Sequence, residues 1–154
     1  MNKYSHKFTL DGHAGKMQCI LDLPEGQPRG IALVAHPHPL YGGTMENKVA
    51  QTLARTFVTL GYATARFNFR GVGESEGVHD DGRGEVDDMD VMYKHMTEQY
   101  PGLPVTLSGF SFGTFVQAQF QQRLIAEGRP AERLVLVGTA AGKWPMPPVP
   151  ADTI

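Results

Sequence analysis

Val105-Thr106-Leu107-Ser108-Gly109-Phe110-Ser111-Phe112-Gly113 is the stretch on which the reading of the fold turns. Its first four residues form an apolar-flanked, buried strand, and the period changes after Gly113. Phe112, Phe115, Val116, Phe120 and Leu124 fall along one stripe of an amphipathic helix. A G-x-S-x-G sequence therefore occupies a strand-to-helix corner, the placement that a nucleophile elbow requires. The corner holds Ser111 in a strained conformation, and Gly109 and Gly113 remove Cβ atoms that would meet neighbouring backbone. The hydroxyl then projects above the carboxyl edge of a sheet. There the N–H of Phe112, at the helix amino terminus, can donate to a developing oxyanion.

On either side of this corner, strands and helices alternate. Lys7 to Leu10 and Lys16 to Leu23 flank a turn over Asp11 to Gly15. Met17, Cys19, Leu21 and Leu23 recur every second residue, which predicts an antiparallel hairpin. Ile31-Ala32-Leu33-Val34-Ala35 is a continuous apolar run, the mark of a strand covered on both faces. Val49, Leu53, Phe57 and Leu60 make a helical stripe, with Thr44 to cap its first turn, Glu46 at the positive end of its dipole and Gly61 to end it. Tyr62 to Phe69 is a strand and Arg70 to Gly84 a loop. Glu85 to Tyr100 is a second helix with Val86, Met89, Tyr93 and Met96 inward. Leu134 to Val137 is another buried strand, and Pro145 to Pro150 is irregular. The order, a hairpin followed by β-α-β-α-β-α-β, predicts an α/β fold. Its mostly parallel sheet carries helices on both faces through right-handed crossovers and opens with an antiparallel hairpin. One domain spans residues 1–154, and Ala151 to Ile154 reads as the approach to a further strand.

Composition narrows the classes. The 154 residues are 41% hydrophobic and 19% charged, with 18 glycines and 11 prolines, so the chain is globular and not of low complexity. A chain this long buries about 68–70% of its unfolded surface and needs neither metal nor disulfide for a core. The single cysteine, Cys19, forms no intramolecular disulfide and fits a reducing compartment. A net charge of -2 gives no electrostatic case for a nucleic-acid partner. The amino terminus lacks a signal-peptide h-region and no apolar run is long enough for a bilayer, which predicts a cytoplasmic protein without a membrane partner.

The segment His36-Pro37-His38-Pro39-Leu40-Tyr41-Gly42-Gly43 follows the first buried parallel strand. In a fold with an elbow, this loop supplies the second oxyanion N–H. Pro37 and Pro39 have no N–H, so His38 is the best-placed donor and Leu40 the next. Gly42 and Gly43 let the loop pass close to the elbow. His36 and His38, two residues apart on an extended segment, would face one way and suit a metal, but no third ligand follows at a recognisable spacing. No metal and no cofactor is expected.

Three further matches fail on inspection. Gly73-Glu74-Ser75-Glu76-Gly77 is a second G-x-S-x-G, but two carboxylates flank Ser75 and would oppose an alkoxide, and a polar stretch from Val78 to Arg83 follows in place of a helix. It reads as a glycine-rich surface loop. Gly138 to Lys143 has one residue too few between its glycines for a phosphate loop, and Trp144 stands where Ser or Thr is needed. Glu85, Asp87, Asp88 and Asp90 read as a solvated helix start that complements the dipole.

Taken together, the strand–HPHPLYGG segment, the FNFRGVGESEG segment and the GFSFG elbow resemble, in this order and spacing, the small bacterial α/β-hydrolases. These are related to the dienelactone-hydrolase and serine-aminopeptidase-like branches and include carboxylesterases. The resemblance covers essentially the whole chain. It implies a serine hydrolase fold acting on small-molecule ester substrates, with Ser111 matching the nucleophile and Phe112 and His38 the oxyanion positions. Gly109, Gly113, Gly42 and Gly43 support those loops, and no cofactor is implied.

One departure matters. In this fold the nucleophile is followed by an acid and then a histidine. No histidine follows Ser111, the last being His95, and Glu127, Glu132 and Asp152 are the acids that do. None stands where the family acid falls. The expectation is the amino-terminal portion of a hydrolase, lacking the last strands, the acid and the base, and inactive alone. The alternatives are a non-catalytic α/β binding protein or inert fragment, or a thioesterase, peptidase or acyltransferase with the same elbow. The short span from Gly138 to Ile154 leaves no room for a large lid. A homodimer has no support in the sequence, and Met89, Met92 and Met96 read as core.

Overall fold

A computed structural model describes residues 4–139 and 141–154. The elements are β1 (Ser5–Gly12), β2 (Gly15–Asp22), β3 (Gly30–Ala35), α1 (Lys48–Thr59), β4 (Tyr62–Phe67), α2 (Arg83–Gln99), β5 (Val105–Phe110), α3 (Phe112–Ala126) and β6 (Arg133–Val137), with a single 3-10 turn at Pro39–Tyr41. They build one six-stranded sheet in the order β1-β2-β4-β3-β5-β6. The opening hairpin pairs antiparallel, both within itself and onto β4. Strands β4, β3, β5 and β6 run parallel. The fold predicted from the alternating periods is the fold observed.

Side chains alternate across the sheet as the strand pleat demands. Ile31, Leu33 and Leu107 face α2 and α3 and join the main core with Met89, Met92, Met96, Phe112, Phe120 and Leu124. Ala32 and Val34 face α1, where a smaller cluster forms with Ala50 and Phe57. The three methionines are core residues, as expected. The register places Ala35 beside Gly109, so the exits of β3 and β5 lie side by side. The connections from β3 and β5 depart to opposite sides there, which makes this edge a topological switch point, where α/β sheets bind ligands.

Several local expectations need correction. Helix α1 buries Ala50, Ala54 and Phe57, so of the stripe Val49, Leu53, Phe57 and Leu60 only Phe57 is buried, with Leu53 packed beside it. Leu53 is half-buried and Leu60, at the C-cap, is 48% exposed. The helix lies close over Ala32 and Val34, and small side chains permit that approach where leucines would hold it off. Thr44 does not cap this helix. Asn47 does, its Oδ1 accepting from Val49 N at 2.9 Å and Ala50 N at 3.3 Å. Thr44 Oγ1 instead accepts from Glu46 N, 3.1 Å, in the preceding turn. Glu46 therefore lies outside the first turn.

Strand β4 ends at Phe67, two residues early, because Asn68 and Phe69 turn to bond other loops. Asn68 Oδ1 accepts from Met45 N, 2.9 Å. At the far edge, Ile154 N–H donates to Leu134 O (3.0 Å) and Leu136 N–H donates to Ile154 O (2.7 Å). This is the pattern of a parallel partner on β6. Among the described residues no helix is long and apolar enough to cross a membrane.

Candidate active site

Ser111 sits at φ 53°, ψ -117° between β5 and α3. A non-glycine residue at positive φ is uncommon, and this ψ lies outside the small left-handed basin, so the backbone is strained. What holds it there is visible. Ser111 N–H donates to Val137 O on β6 at 3.1 Å, and its carbonyl accepts from Thr114 N (2.9 Å) and Thr114 Oγ1 (2.6 Å). The side chain is half-buried and makes no cap hydrogen bond to the helix it precedes. Phe112 is the first residue of α3, a position whose N–H has no intrahelical acceptor.

The two elbow glycines are demanded by space. A Cβ on Gly109 would lie 2.6 Å from both the carbonyl carbon and oxygen of Gly113. A Cβ on Gly113 would lie 2.7 Å from Ala35 C and 2.8 Å from His36 O, with Ala35 O closer still. The start of α3 is thus seated on the exit of β3, and this contact brings the His36–Gly43 loop to the elbow.

That loop departs from expectation in three ways. Gly42 has a left-handed φ of 80° and nothing near its Cβ position, so it serves conformation. Gly43 would clash with its own loop, 2.6 Å from Pro37 C and 2.7 Å from His38 O. The close approach is the loop folding on itself, and neither glycine's Cβ position meets the elbow. Leu40 N–H donates to His38 Nδ1 at 3.1 Å, which removes Leu40 as a free donor. The His36 and His38 rings also diverge, because the chain bends at Pro37. His36 is fully buried, its Nε2 accepting from Phe69 N–H at 3.0 Å while Nδ1 lies 2.7 Å from Pro37 O. Accepting at Nε2 leaves the proton on Nδ1, and burial pushes its pKa down to about 4. His36 is a neutral strut between the exits of β3 and β4.

His38 turns to the elbow instead. Its ring centroid lies 4.9 Å from Phe112, 5.2 Å from Trp144, 4.9 Å from Tyr41 and 4.9 Å from His79. Burial, then the neighbouring His79, lowers its pKa. Trp144 also meets Phe112 edge-on at 5.2 Å and stacks on Phe115 at 6.2 Å. The residue that spoils a phosphate loop in the sequence therefore seats the irregular tail over the elbow. Lys143 Nζ lies 6.0 Å from the Tyr41 ring centroid. Ala140, within the rejected phosphate-loop stretch, falls outside the described residues.

Ser75 is buried and fully engaged, donating to Asn68 O (2.7 Å) and accepting from Gln18 N (2.9 Å). It pins its loop to β2 and is no nucleophile. The acidic run is not the solvated helix start expected from the sequence. Glu85 has no exposed surface and accepts from Asp80 N and Gly82 N, 2.9 and 3.0 Å. Asp88 is held by Arg70 through two 2.8 Å bonds. That pairing, by hydrogen bonding first, raises the Arg70 pKa. Asp90 meets Lys94 and Arg129, and only Asp87, paired with Arg123, is half-exposed. Buried carboxylates persist when paired; Glu85 is held by the loop just before it, whereas Arg70, Arg123 and Arg129 reach Asp88, Asp87 and Asp90 from 18 or more residues away.

Glu127 caps the far end of α3, about 24 Å from Ser111 at 1.5 Å per helical residue, and pairs with Arg129. Glu132 and Asp152 are exposed. Among the described residues no group of three or more His, Cys, Asp or Glu is arranged to hold a metal ion. A cavity of about 410 Å³ lies between α1 and the hairpin, lined by Asp22, Arg55, Arg66 and neighbours. It shares no residue with the elbow or the His38 loop.

With this geometry, the chain belongs to the serine aminopeptidase S33 family, which residues 26–153 match. It is similar to an uncharacterized protein of Rickettsia prowazekii (strain Madrid E), 45% identical over 118 residues, covering 69% of this chain and 50% of that protein. It is also similar to the lysophosphatidylserine lipase ABHD12 of Danio rerio, 31% identical over 106 residues, covering 66% of this chain and 28% of the lipase. Among solved structures it matches an α/β serine hydrolase without a lid from Xanthomonas campestris, with a TM-score of 0.89 and 35% identity. That match covers 99% of this chain and 70% of the other. The matched stretch spans half or less of the curated relatives' length. The fold is that of the α/β serine hydrolases.

Proposed function

We propose a serine hydrolase of carboxylic esters in which Ser111 is the nucleophile. Its Oγ attacks the ester carbonyl carbon, the N–H groups of Phe112 and His38 receive the oxyanion, the alcohol leaves, and water releases the acyl group from Ser111. The observation that carries this reading is the Ser111 backbone, held at φ 53° and ψ -117° against its own preference at the first turn of α3. A strained residue at a switch point, beside a helix N–H without an intrahelical acceptor, is what an elbow needs and what a plain turn avoids. Family membership supports hydrolysis. The names of the relatives, a lidless hydrolase and a lysophospholipid lipase, support an ester in an open site. Thioester and amide substrates use the same machinery, and fold alone does not select among them.

This reading assigns no base or carboxylate: in the fold's order they follow the nucleophile, and no histidine follows Ser111 among residues 1–154. Residues 1–154 alone then retain oxyanion stabilisation and binding, a residual of about 10³–10⁴-fold over water. A fluorophosphonate probe tests the assignment on two proteins, residues 1–154 and the product of the complete reading frame. The expected result is labelling of the latter at Ser111, lost in Ser111→Ala. A well-folded product of the complete frame that stays unlabelled favours a non-catalytic binding protein. Strong labelling of residues 1–154 by themselves would place a working base within them and overturn this order of residues.

A further inference from the structure

Three rings from three different segments meet beside the elbow. His79, from the loop before α2, lies 4.9 Å from His38 and 5.5 Å from Phe112, and those two are 4.9 Å apart. Two of the three belong to the residues assigned above as oxyanion donors. The third is fixed from outside. The His79 side chain is 10% exposed, and its Nε2 donates to Asp81 Oδ1 at 3.2 Å. Its Nδ1 lies 3.2 Å from Glu85 Oε2 at an angle that makes no hydrogen bond. Glu85 is itself held by the N–H groups of Asp80 and Gly82. Asp81 and Gly82 both stand at positive φ, 53° and 95°, which folds the loop back toward the start of α2.

The His38 loop is tied mainly to itself, by Leu40 N–H to His38 Nδ1, by the N–H groups of Tyr41 and Gly43 to His38 O, and by the Tyr41 ring. Leu40 and Tyr41 are largely exposed, and Gly42 turns in open space. Beyond the loop, the His38 ring packs against Phe112, Trp144 and His79. Two amide donors serve an oxyanion when both lie about 2.7–3.1 Å from the oxygen. Their separation therefore has to be set by something that touches both residues. We infer that His79 is a positioning residue that sets the spacing of the Phe112 and His38 donors, with Asp81 orienting its ring. The inference rests on the hydrolase reading and adds to it a residue that touches no reacting atom.

The test uses the product of the complete reading frame, with a short p-nitrophenyl ester and the fluorophosphonate probe. His79→Ala is expected to lower kcat by about tenfold or more while KM stays within about twofold, because donor misplacement affects the transition state. His79→Phe keeps the flat ring against both neighbours and is expected to return kcat to within about threefold of the parent. Asp81→Gly removes the Nε2 tether at a backbone conformation glycine prefers. It is expected to lower kcat by about threefold without lowering the melting temperature. An unchanged kcat in His79→Ala, a loss carried by KM, or a phenylalanine variant no better than alanine would overturn the inference. Should His79→Ala fail to fold, an unchanged kcat in Asp81→Gly overturns it. A parent protein that does not label at Ser111 sinks the hydrolase reading and this inference together. A labelled parent with silent His79 variants sinks this inference alone.

Discussion

Replacing Gly113 with alanine drives a methyl group into the carbonyl end of β3. The new Cβ would sit 2.7 Å from Ala35 C and 2.8 Å from His36 O, nearer still to Ala35 O, and every one of these is a backbone atom. No rotamer change relieves the contact, so α3 and the exit of β3 must separate. Overpacking of this kind costs about 1–3 kcal/mol, and the backbone-only neighbours put Gly113 at the upper end. Alanine returns about 1 kcal/mol of helix propensity, leaving a net loss of about 2 kcal/mol. For a chain of this size that lowers the melting temperature by about 4–8 °C, read by circular dichroism. The same separation moves Ser111 away from the His38 loop, so probe labelling at Ser111 should fall further than stability does. Gly142 has open space around it, and Gly142→Ala is the neutral control. A Gly113→Ala protein that melts at or above the parent temperature would refute the close seating of α3 on β3.

Ser111→Gly releases the strained φ and is expected to gain about 1 kcal/mol while abolishing probe labelling, a trade seen in thermal melts. Arg70→Ala leaves Asp88 buried without its cation and should cost about 3–5 kcal/mol in urea unfolding, most of it recovered when Asp88 is also replaced by leucine. The folded pKa of His36 is depressed to about 4 while an unfolded histidine titrates near 6.5. Protons therefore bind the unfolded chain first, and stability is complete above about pH 6.5 and lost as pH falls toward 4. The drop amounts to about 3 kcal/mol, and His36→Asn should flatten the urea midpoint across that range.

The elbow was legible because its signal is local. A strand, five residues and a helix lie contiguous in the chain, and the glycines at 109 and 113 answer contacts with backbone a few residues away or one strand over. The α/β order was legible for the same reason, since each period spans one element. What escaped depended on how the chain turns and on what it meets afterwards. Thr44 reads as the cap of α1, but the turn that gives its hydroxyl to Glu46 N leaves the capping to Asn47. Asp88 reads as solvated because the cation that holds it, Arg70, stands 18 residues earlier, and Glu85 because its partners are backbone N–H groups of the turn before it, which the sequence does not display. Ala50 and Ala54 carry no hydrophobic stripe, yet they let α1 approach the sheet. His79 was lost in a polar run, and only its burial among rings distinguishes it. Trp144 breaks a phosphate-loop pattern in the sequence, and its packing on His38, Phe112 and Phe115 exists only in the folded chain.

The strut formed by His36 has a mechanical meaning. By receiving the Phe69 N–H it fastens the segment leaving β4 to the segment leaving β3, and Asn68, receiving the Met45 N–H, fastens the same pair again further out. Those two segments lie on one side of the serine, next to β5 in the strand order, and they travel as one plate. In the proposed ester hydrolysis, accommodation of a bulkier acyl group then falls to the opposite wall, where Trp144 seats the proline-rich tail on Phe112 and Phe115. Differences in selectivity between close relatives should gather there, in residues 143–150, and not in the double-histidine loop.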